Sequence, residues 1–323
     1  MQFWQVTQLG QDPQLMAGPD PAPQPGEVLL QVIAVGLNFA DLLMMQGKYQ
    51  VRPALPYVPG MEFSAIVLQS GPTPPPLPVG TRVLGTCTNG ALAERICQPV
   101  SRLAILPDAM PMDEAAGFPI AYGTSHLALT HKARLQPGET LFVTGAAGGV
   151  GLTAVEIGKR LGARVIASAR GADRLAIAGA AGADILIDSQ APDLKDALRA
   201  AGGVDVVYDA VGGPAFDQAL RATRPDGRLL AIGFASGEVP QIPANLLLVK
   251  NLTVSGLWYG GYQDHAPDIV ARSMADLLDL RARGLIRPHV SHVLPFHDLP
   301  QGLALLRDRK STGKVVIRVG QAP

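Results

Sequence analysis

The stretch TGAAGGVG (144–151) carries the most chemistry per residue in this chain. It follows the apolar run LFV and precedes LTAVEI, which has helical composition. Glycines between a strand and a helix let the backbone turn sharply and approach a phosphate. The helix N-terminus then supplies free N–H groups and the positive end of the helix dipole. The fingerprint reads Ala146-Ala147-Gly148-Gly149-Val150-Gly151, with alanine at its first position. A glycine pattern alone is weak evidence, but this one has a strand before it, a helix after it and further strand–helix units downstream. It predicts a dinucleotide site contacted by Ala147, Gly148, Gly149 and Val150. The second strand ends Ala167-Ser168-Ala169-Arg170, without the acidic residue that binds ribose hydroxyls in NAD-type sites. Ser168, Arg170 and Arg174 suit a 2′-phosphate instead, because guanidinium geometry matches phosphate oxygens. The expectation is NADPH. Asp173 reads as a helix cap.

The elements that position this turn follow from pattern. The chain has 323 residues, 47% hydrophobic and 17% charged, with Lys plus Arg equal to Asp plus Glu. That is enough for two domains, and a neutral balance gives no electrostatic reason to expect nucleic acid. No window is apolar for about 18 residues, and the N-terminus has no signal-peptide pattern, so no membrane partner is expected. Cys87 and Cys97 read as free thiols of a cytoplasmic protein. Up to residue 119 the chain reads as strands and turns: 26–38, 62–70, 81–85 and 91–99, with one helix at 39–46 and a proline-rich segment, GPTPPPLPVG (71–80), that suits neither helix nor central strand. From residue 113 helical composition begins. Strands at LFVTG, ARVIASA, DILID, VDVVYDAVG and RLLAIGF then alternate with helices at GLTAVEIGKRLG, ADRLAIAGAAG, APDLKDALRAAGG and PAFDQALRATRPDG. This alternation specifies a parallel sheet with right-handed crossovers, and continuous apolar strands fit a sheet covered on both faces. The end of the chain holds helices at 269–283 and 299–309, the segment PHVSHVLPF and a closing strand KVVIRV.

The chain resembles the medium-chain dehydrogenase/reductases, and within them the zinc-independent quinone oxidoreductase (zeta-crystallin-like) group. The matching stretches are GLNFADLLMMQGKY (36–49), LPYVPGMEFSAIV (55–67), AYGT (121–124), LQPGETLFVTGAAGGVG (135–151), VDVVYDAVGG (204–213), GRLLAIGFASG (227–237), KNLTVSGLW (250–258) and STGKVVIRV (311–319). The resemblance implies an α/β chain: a discontinuous, GroES-like β-rich catalytic domain (1–119 and 262–323) and a Rossmann doubly wound parallel-sheet cofactor domain (120–261).

Zinc-dependent relatives place Cys after the first strand, a His-Glu pair after the proline-glycine turn, and four clustered cysteines in a structural loop. Here the positions hold Asn38 and Met61-Glu62, and the two cysteines stand ten apart. Asn and Met are poor zinc ligands. His289 and His292, three apart in a strand, face opposite sides. No metal is expected. Hydride transfer to an electrophilic acceptor, a quinone or enone, remains feasible without a Lewis acid, since the developing oxyanion needs only hydrogen-bond donors.

The resemblance places Asn38 beside the nicotinamide and matches Tyr49 to a tyrosine considered a proton or hydrogen-bond donor in enoyl-thioester reductases. Asn38 as a loop-fixing residue and Tyr49 as a cleft-lining residue are the alternatives. Glu62 reads as structural, and Asp41 as a helix cap. Thr124, Gly233-Phe234-Ala235-Ser236, and Leu257-Trp258 carry over as cofactor contacts. Arg309 is either a nucleotide contact or a surface residue. One departure from the group is the third strand, which ends Ile187-Asp188-Ser189 where relatives often carry a tyrosine. The apolar stretch 251–257, at the sheet edge, predicts a homodimer. Three readings stay open: NADPH-dependent quinone reduction, reduction of α,β-unsaturated carbonyls or enoyl thioesters, and a low-turnover NADPH-binding sensor or structural protein.

Overall fold

The computed structural model describes residues 1–71 and 77–320. Half of the proline-rich segment expected to lack regular structure, residues 72–76, lies outside the described residues. The chain divides into two compact units, Met1–Ile120 with Met274–Pro323, and Ala121–Ser273.

The first unit is built on a mostly antiparallel sheet, in which only Val290–Pro295 and Lys314–Arg318 pair in parallel. Its strands run in the order Val290–Pro295, Lys314–Arg318, Glu27–Leu37, Glu62–Ser70, Arg82–Thr86 and Leu103–Ile105, and Arg95–Pro99 also pairs with Glu27–Leu37. The long strand EVLLQVIAVGL is buried at nine of its eleven residues, because it is paired on both sides and covered on both faces. Its β-branched and leucine content fits that environment. A core of Leu30, Val32, Val35, Phe63, Val67, Leu299, Val315 and Ile317 surrounds it. The hairpin Gln2–Gln5 with Gln14–Ala17 and the strand Leu103–Ile105 were not assigned from the sequence. Both are short and partly exposed, so they leave a weak apolar pattern.

The second unit is a six-stranded sheet in the order Ile185–Asp188, Arg164–Ala169, Thr140–Thr144, Val204–Asp209, Thr223–Ala231, Thr253–Gly256, with every neighbouring pair parallel. The order reverses at Thr140–Thr144, so the crevice beyond its carboxyl end is the topological switch point where such sheets bind ligands. Phe142, Ile166, Val207, Phe216, Leu220 and Leu229 fill the core beside it.

Two expectations change. The helix read through PAFDQALRATRPDG ends at Ala222, and Thr223–Ala231 is strand. Pro225 disfavours helical backbone just before it, and Asp226 adopts a left-handed φ of 62°. The boundary expected at 261/262 lies at 273/274. Residues 262–273 stay with the second unit because side chains hold them there. The Tyr262 ring meets His131 edge-on at 5.8 Å and lies under Lys132 Nζ at 5.5 Å, and His126 Nδ1 bonds Ser273 Oγ at 2.7 Å.

Candidate functional site

The glycine turn is shaped by backbone that no larger residue could copy. Gly145 has a φ of 60°. A Cβ on Gly151 would stand 2.2 Å from the Gly145 carbonyl oxygen, so the helix can sit this close only with glycine there. Ala146 N–H donates to Ser168 O at 3.0 Å, tying the turn to the second strand. The helix Gly149–Arg160 opens with no side-chain cap, which leaves its first N–H groups for an outside acceptor. In front of them, a Cβ on Gly148 would meet only the Gly145 oxygen, at 3.3 Å.

A buried hydroxyl cluster holds this turn from below. Ser125 Oγ donates to Val150 O at 2.8 Å and bonds Thr153 Oγ1 at 2.8 Å and Tyr208 OH at 2.9 Å. Burial drives the Tyr208 phenol well above its ordinary pKa. Thr124, the neighbour of Ser125, is buried. Asp209, fully buried at the end of its strand, holds the adjoining loop. It accepts Thr144 Oγ1 at 2.6 Å and Gly212 N–H at 2.8 Å, while burial pushes its pKa up. Ala235 and Ser236 donate N–H groups to Ala210 O and Val211 O at 3.1 and 2.9 Å, which stitches the loop of Gly233, Phe234, Ala235 and Ser236 along that edge. Phe234 is part-exposed there.

At the second strand, Ser168 is buried and Arg170 exposed, followed by Gly171 with a φ of 80°. Arg174 lies within electrostatic reach of Arg170, and burial together with that second guanidinium lowers its pKa. Asp173 sits in the first turn of the helix Ala172–Ala180, whose cap position is Gly171 and has no side-chain bond, so the expected cap is not formed. After the edge strand, Leu257 is buried and Trp258 part-exposed. The Trp258 ring lies on the backbone of Gly260 and Gly261, and the Tyr259 ring occupies the space a Cβ on Gly123 would need.

In the first unit, Asn38 precedes the helix Phe39–Met45. Asp41 accepts the Asn38 backbone N–H at 2.8 Å, the capping role expected of it. Asn38 Nδ2 donates to Glu62 Oε1 at 2.9 Å. Lys314 Nζ donates to Leu37 O, Asn38 Oδ1 and Glu62 Oε1, each at 2.7 Å. Glu62 Oε2 accepts Ile120 N–H at 2.8 Å. Glu62 is fully buried and Lys314 nearly so. Gly36 makes room for the cluster, since a Cβ there would stand 2.7 Å from Glu62 Oε1. Tyr49 is half-buried against the core beyond the helix, and Arg309 is exposed in a left-handed turn with φ 55°.

Among the described residues no group of three His, Cys, Asp or Glu side chains is placed to hold a metal. The donors at the position where zinc-dependent relatives bind their ion do not fit one. Both Glu62 oxygens are committed, and an ammonium already supplies the positive charge. Lys314, Ser125, Thr144 and Asp209 were not singled out from the sequence. Their role depends on partners brought from distant segments.

A two-unit chain with a GroES-like, mostly antiparallel sheet and a glycine-turn nucleotide fold defines a dehydrogenase/reductase of the medium-chain type. Residues 24–108 match the alcohol dehydrogenase GroES-like domain and residues 149–276 the zinc-binding dehydrogenase family. The bovine (Bos taurus) quinone oxidoreductase-like protein 2 is 39% identical over 298 residues, 91% of this chain and 85% of that protein. The Thermus thermophilus quinone oxidoreductase, solved alone and with NADPH, superposes with a TM-score of 0.88 at 34% identity, over 99% of this chain and 100% of that one. Escherichia coli quinone oxidoreductase complexed with NADPH gives 0.91 at 27% identity, over 99% and 100%. The chain belongs to the medium-chain dehydrogenase/reductase family, in its quinone oxidoreductase group.

Proposed function

We propose that this chain is an NADPH-dependent reductase that reduces a quinone or similar electrophilic acceptor without zinc. The observation that carries the reading is the Arg170–Arg174 pair at the tip of a second strand that lacks a carboxylate, beside an uncapped helix N-terminus. The residues fit the cofactor. Gly149 and Val150 offer N–H groups to a pyrophosphate, with Ala147 and Gly148 shaping the turn beneath it, where the Gly148 N–H donates to Gly145 O at 2.9 Å, and Ser168, Arg170 and Arg174 hold the 2′-phosphate. Thr124, the 233–236 loop, Leu257 and Trp258 line the rest of the nucleotide path in this reading, and Arg309 adds a further cation. NADPH, when bound, supplies the hydride. Asn38 and Tyr49 contact the reacting end, and Tyr49 stabilises the developing oxyanion as a hydrogen-bond donor. The quinone oxidoreductases similar to this chain, two of them solved with NADPH, support the reading.

The reading includes a cytoplasmic homodimer. The cysteines are unlinked, and among the described residues no helix is long and apolar enough to cross a membrane. Thr253–Gly256 is an edge strand, and the adjacent helix Ala244–Lys250 exposes Leu248 and Val249. Light scattering should give twice the mass of the chain.

The test of the activity is NADPH oxidation, followed by absorbance, with a benzoquinone or naphthoquinone and in parallel a short enoyl thioester. Quinone turnover is expected. Turnover on the thioester alone would assign the chain to enoyl reduction. NADPH binding without turnover on either acceptor would favour a sensor or structural role.

A further inference from the structure

The buried hydroxyl cluster beneath the glycine turn has a direction. Ser125 and Tyr208 are fully buried, so each hydroxyl hydrogen needs an acceptor inside the protein. Among the described residues the Tyr208 hydroxyl meets one partner, Ser125 Oγ at 2.9 Å. Its hydrogen has no other acceptor, so Tyr208 donates and Ser125 accepts. Burial keeps the phenol protonated, and so a donor, at neutral pH. Ser125 gives its own hydrogen to Val150 O at 2.8 Å, because a carbonyl only accepts. Thr153 Oγ1, 2.8 Å from Ser125 Oγ, also reaches Ala121 O and Val150 O at 3.0 Å and Gly149 O at 3.4 Å, and divides its hydrogen among them. The dedicated chain of donors therefore runs from Tyr208 through Ser125 to Val150 O.

That carbonyl is one half of the Val150–Gly151 peptide group, in the first turn of the helix Gly149–Arg160. The other half, the Gly151 N–H, is among the first helical N–H groups, which have no carbonyl to bond inside the helix. A donor on the oxygen side draws electron density from the N–H side and makes it a stronger donor, and each bond in such a chain strengthens the next. We infer that Ser125 and Tyr208 are positioning residues for the cofactor pyrophosphate. They orient and polarise the Val150–Gly151 peptide, so that Gly151 N–H joins those of Gly149 and Val150 as a phosphate donor. The inference rests on the proposed function, which sets a pyrophosphate against this turn. All the residues it uses belong to the second unit, Ala121–Ser273.

The experiment compares NADP+ affinity, by isothermal titration calorimetry of the unliganded protein, with Tm in three variants. Ser125→Ala orphans the buried phenol and removes the donor to Val150 O, so Tm should fall and NADP+ should bind about tenfold more weakly, the scale of one hydrogen bond. Ser125→Ala/Tyr208→Phe replaces both partners by apolar groups. It should recover most of the lost Tm while the affinity stays low, because the peptide remains unpolarised. Tyr208→Phe alone keeps Ser125 and should weaken binding about threefold. Nuclear magnetic resonance of protein labelled at valine carbonyls and glycine nitrogens reads the peptide itself. The Val150–Gly151 signal, identified by its loss in Val150→Ile, should show the Gly151 proton moved upfield in all three variants. Affinity that returns with Tm in the double variant, or a Gly151 proton unmoved in Tyr208→Phe, overturns the inference and leaves the cluster a packing feature. Failure of the parent reading looks different: the wild type then binds no NADP+, and the inference falls with it.

Discussion

Lys314 Nζ lies 2.7 Å from Glu62 Oε1, and the two side chains are 8% and 0% exposed. Three hydrogen bonds complete the ammonium and three complete the carboxylate. A pair this buried costs much to desolvate, and its removal one half at a time leaves a naked charge. Lys314→Met is expected to cost about 3–5 kcal/mol. Lys314→Met/Glu62→Gln should recover most of that loss. Denaturant unfolding of the two variants checks this. A double variant as unstable as the single one would contradict it.

Gly151 gives a sharper test of the turn. A Cβ there would stand 2.2 Å from the Gly145 oxygen, and backbone cannot yield as a flexible side chain does. Gly151→Ala should shift the helix start, weaken NADPH binding at least about tenfold and lower Tm, whereas Gly148→Ala, with its nearest neighbour at 3.3 Å, should lose cofactor affinity with little loss of Tm. Tm and NADPH titration of both variants decide it. Equal losses of Tm would contradict the assignment.

Asp41 makes stability depend on pH. Burial holds its carboxyl up, at about 7 against an ordinary 3.8, although the Asn38 N–H and the Lys314 ammonium pull it down. The folded pKa exceeds the unfolded one, so between those values the folded chain binds the proton and the unfolded chain releases it. The contribution of this group is full below the unfolded pKa, is lost as pH rises to about 7 and is constant above. Asp41→Asn keeps an acceptor for Asn38 N–H and removes the titration. Its Tm relative to wild type should therefore rise from pH 4 to 7 and level off. A difference independent of pH would show that Asp41 does not titrate in this range.

The parallel sheet was legible because its strands are covered on both faces and read as unbroken apolar runs. Val204–Asp209, for example, is buried at five of six positions. The glycine turn was legible because its chemistry is local. Lys314 was not, since its partner Glu62 lies 252 residues away and nothing in STGKVVIRV distinguishes a buried lysine from a solvated one. The second unit boundary failed for the same reason: the His131–Tyr262 and His126–Ser273 contacts join segments that sequence keeps apart. Thr223–Ala231 was half lost because the strand begins with polar TRPDG, which continues a helical pattern until Pro225.

The central claim is that Arg170 and Arg174 select NADPH, and the most direct measurement is the ratio of kcat/KM for NADPH over NADH in the wild type and in Arg170→Ala/Arg174→Ala. Each charge-assisted contact to a phosphate contributes about 1.5–3 kcal/mol, so the wild-type ratio should exceed about 100 and collapse toward unity in the variant, with the NADH value little changed. A wild type that uses both cofactors equally, or a variant that keeps its preference, would contradict the account.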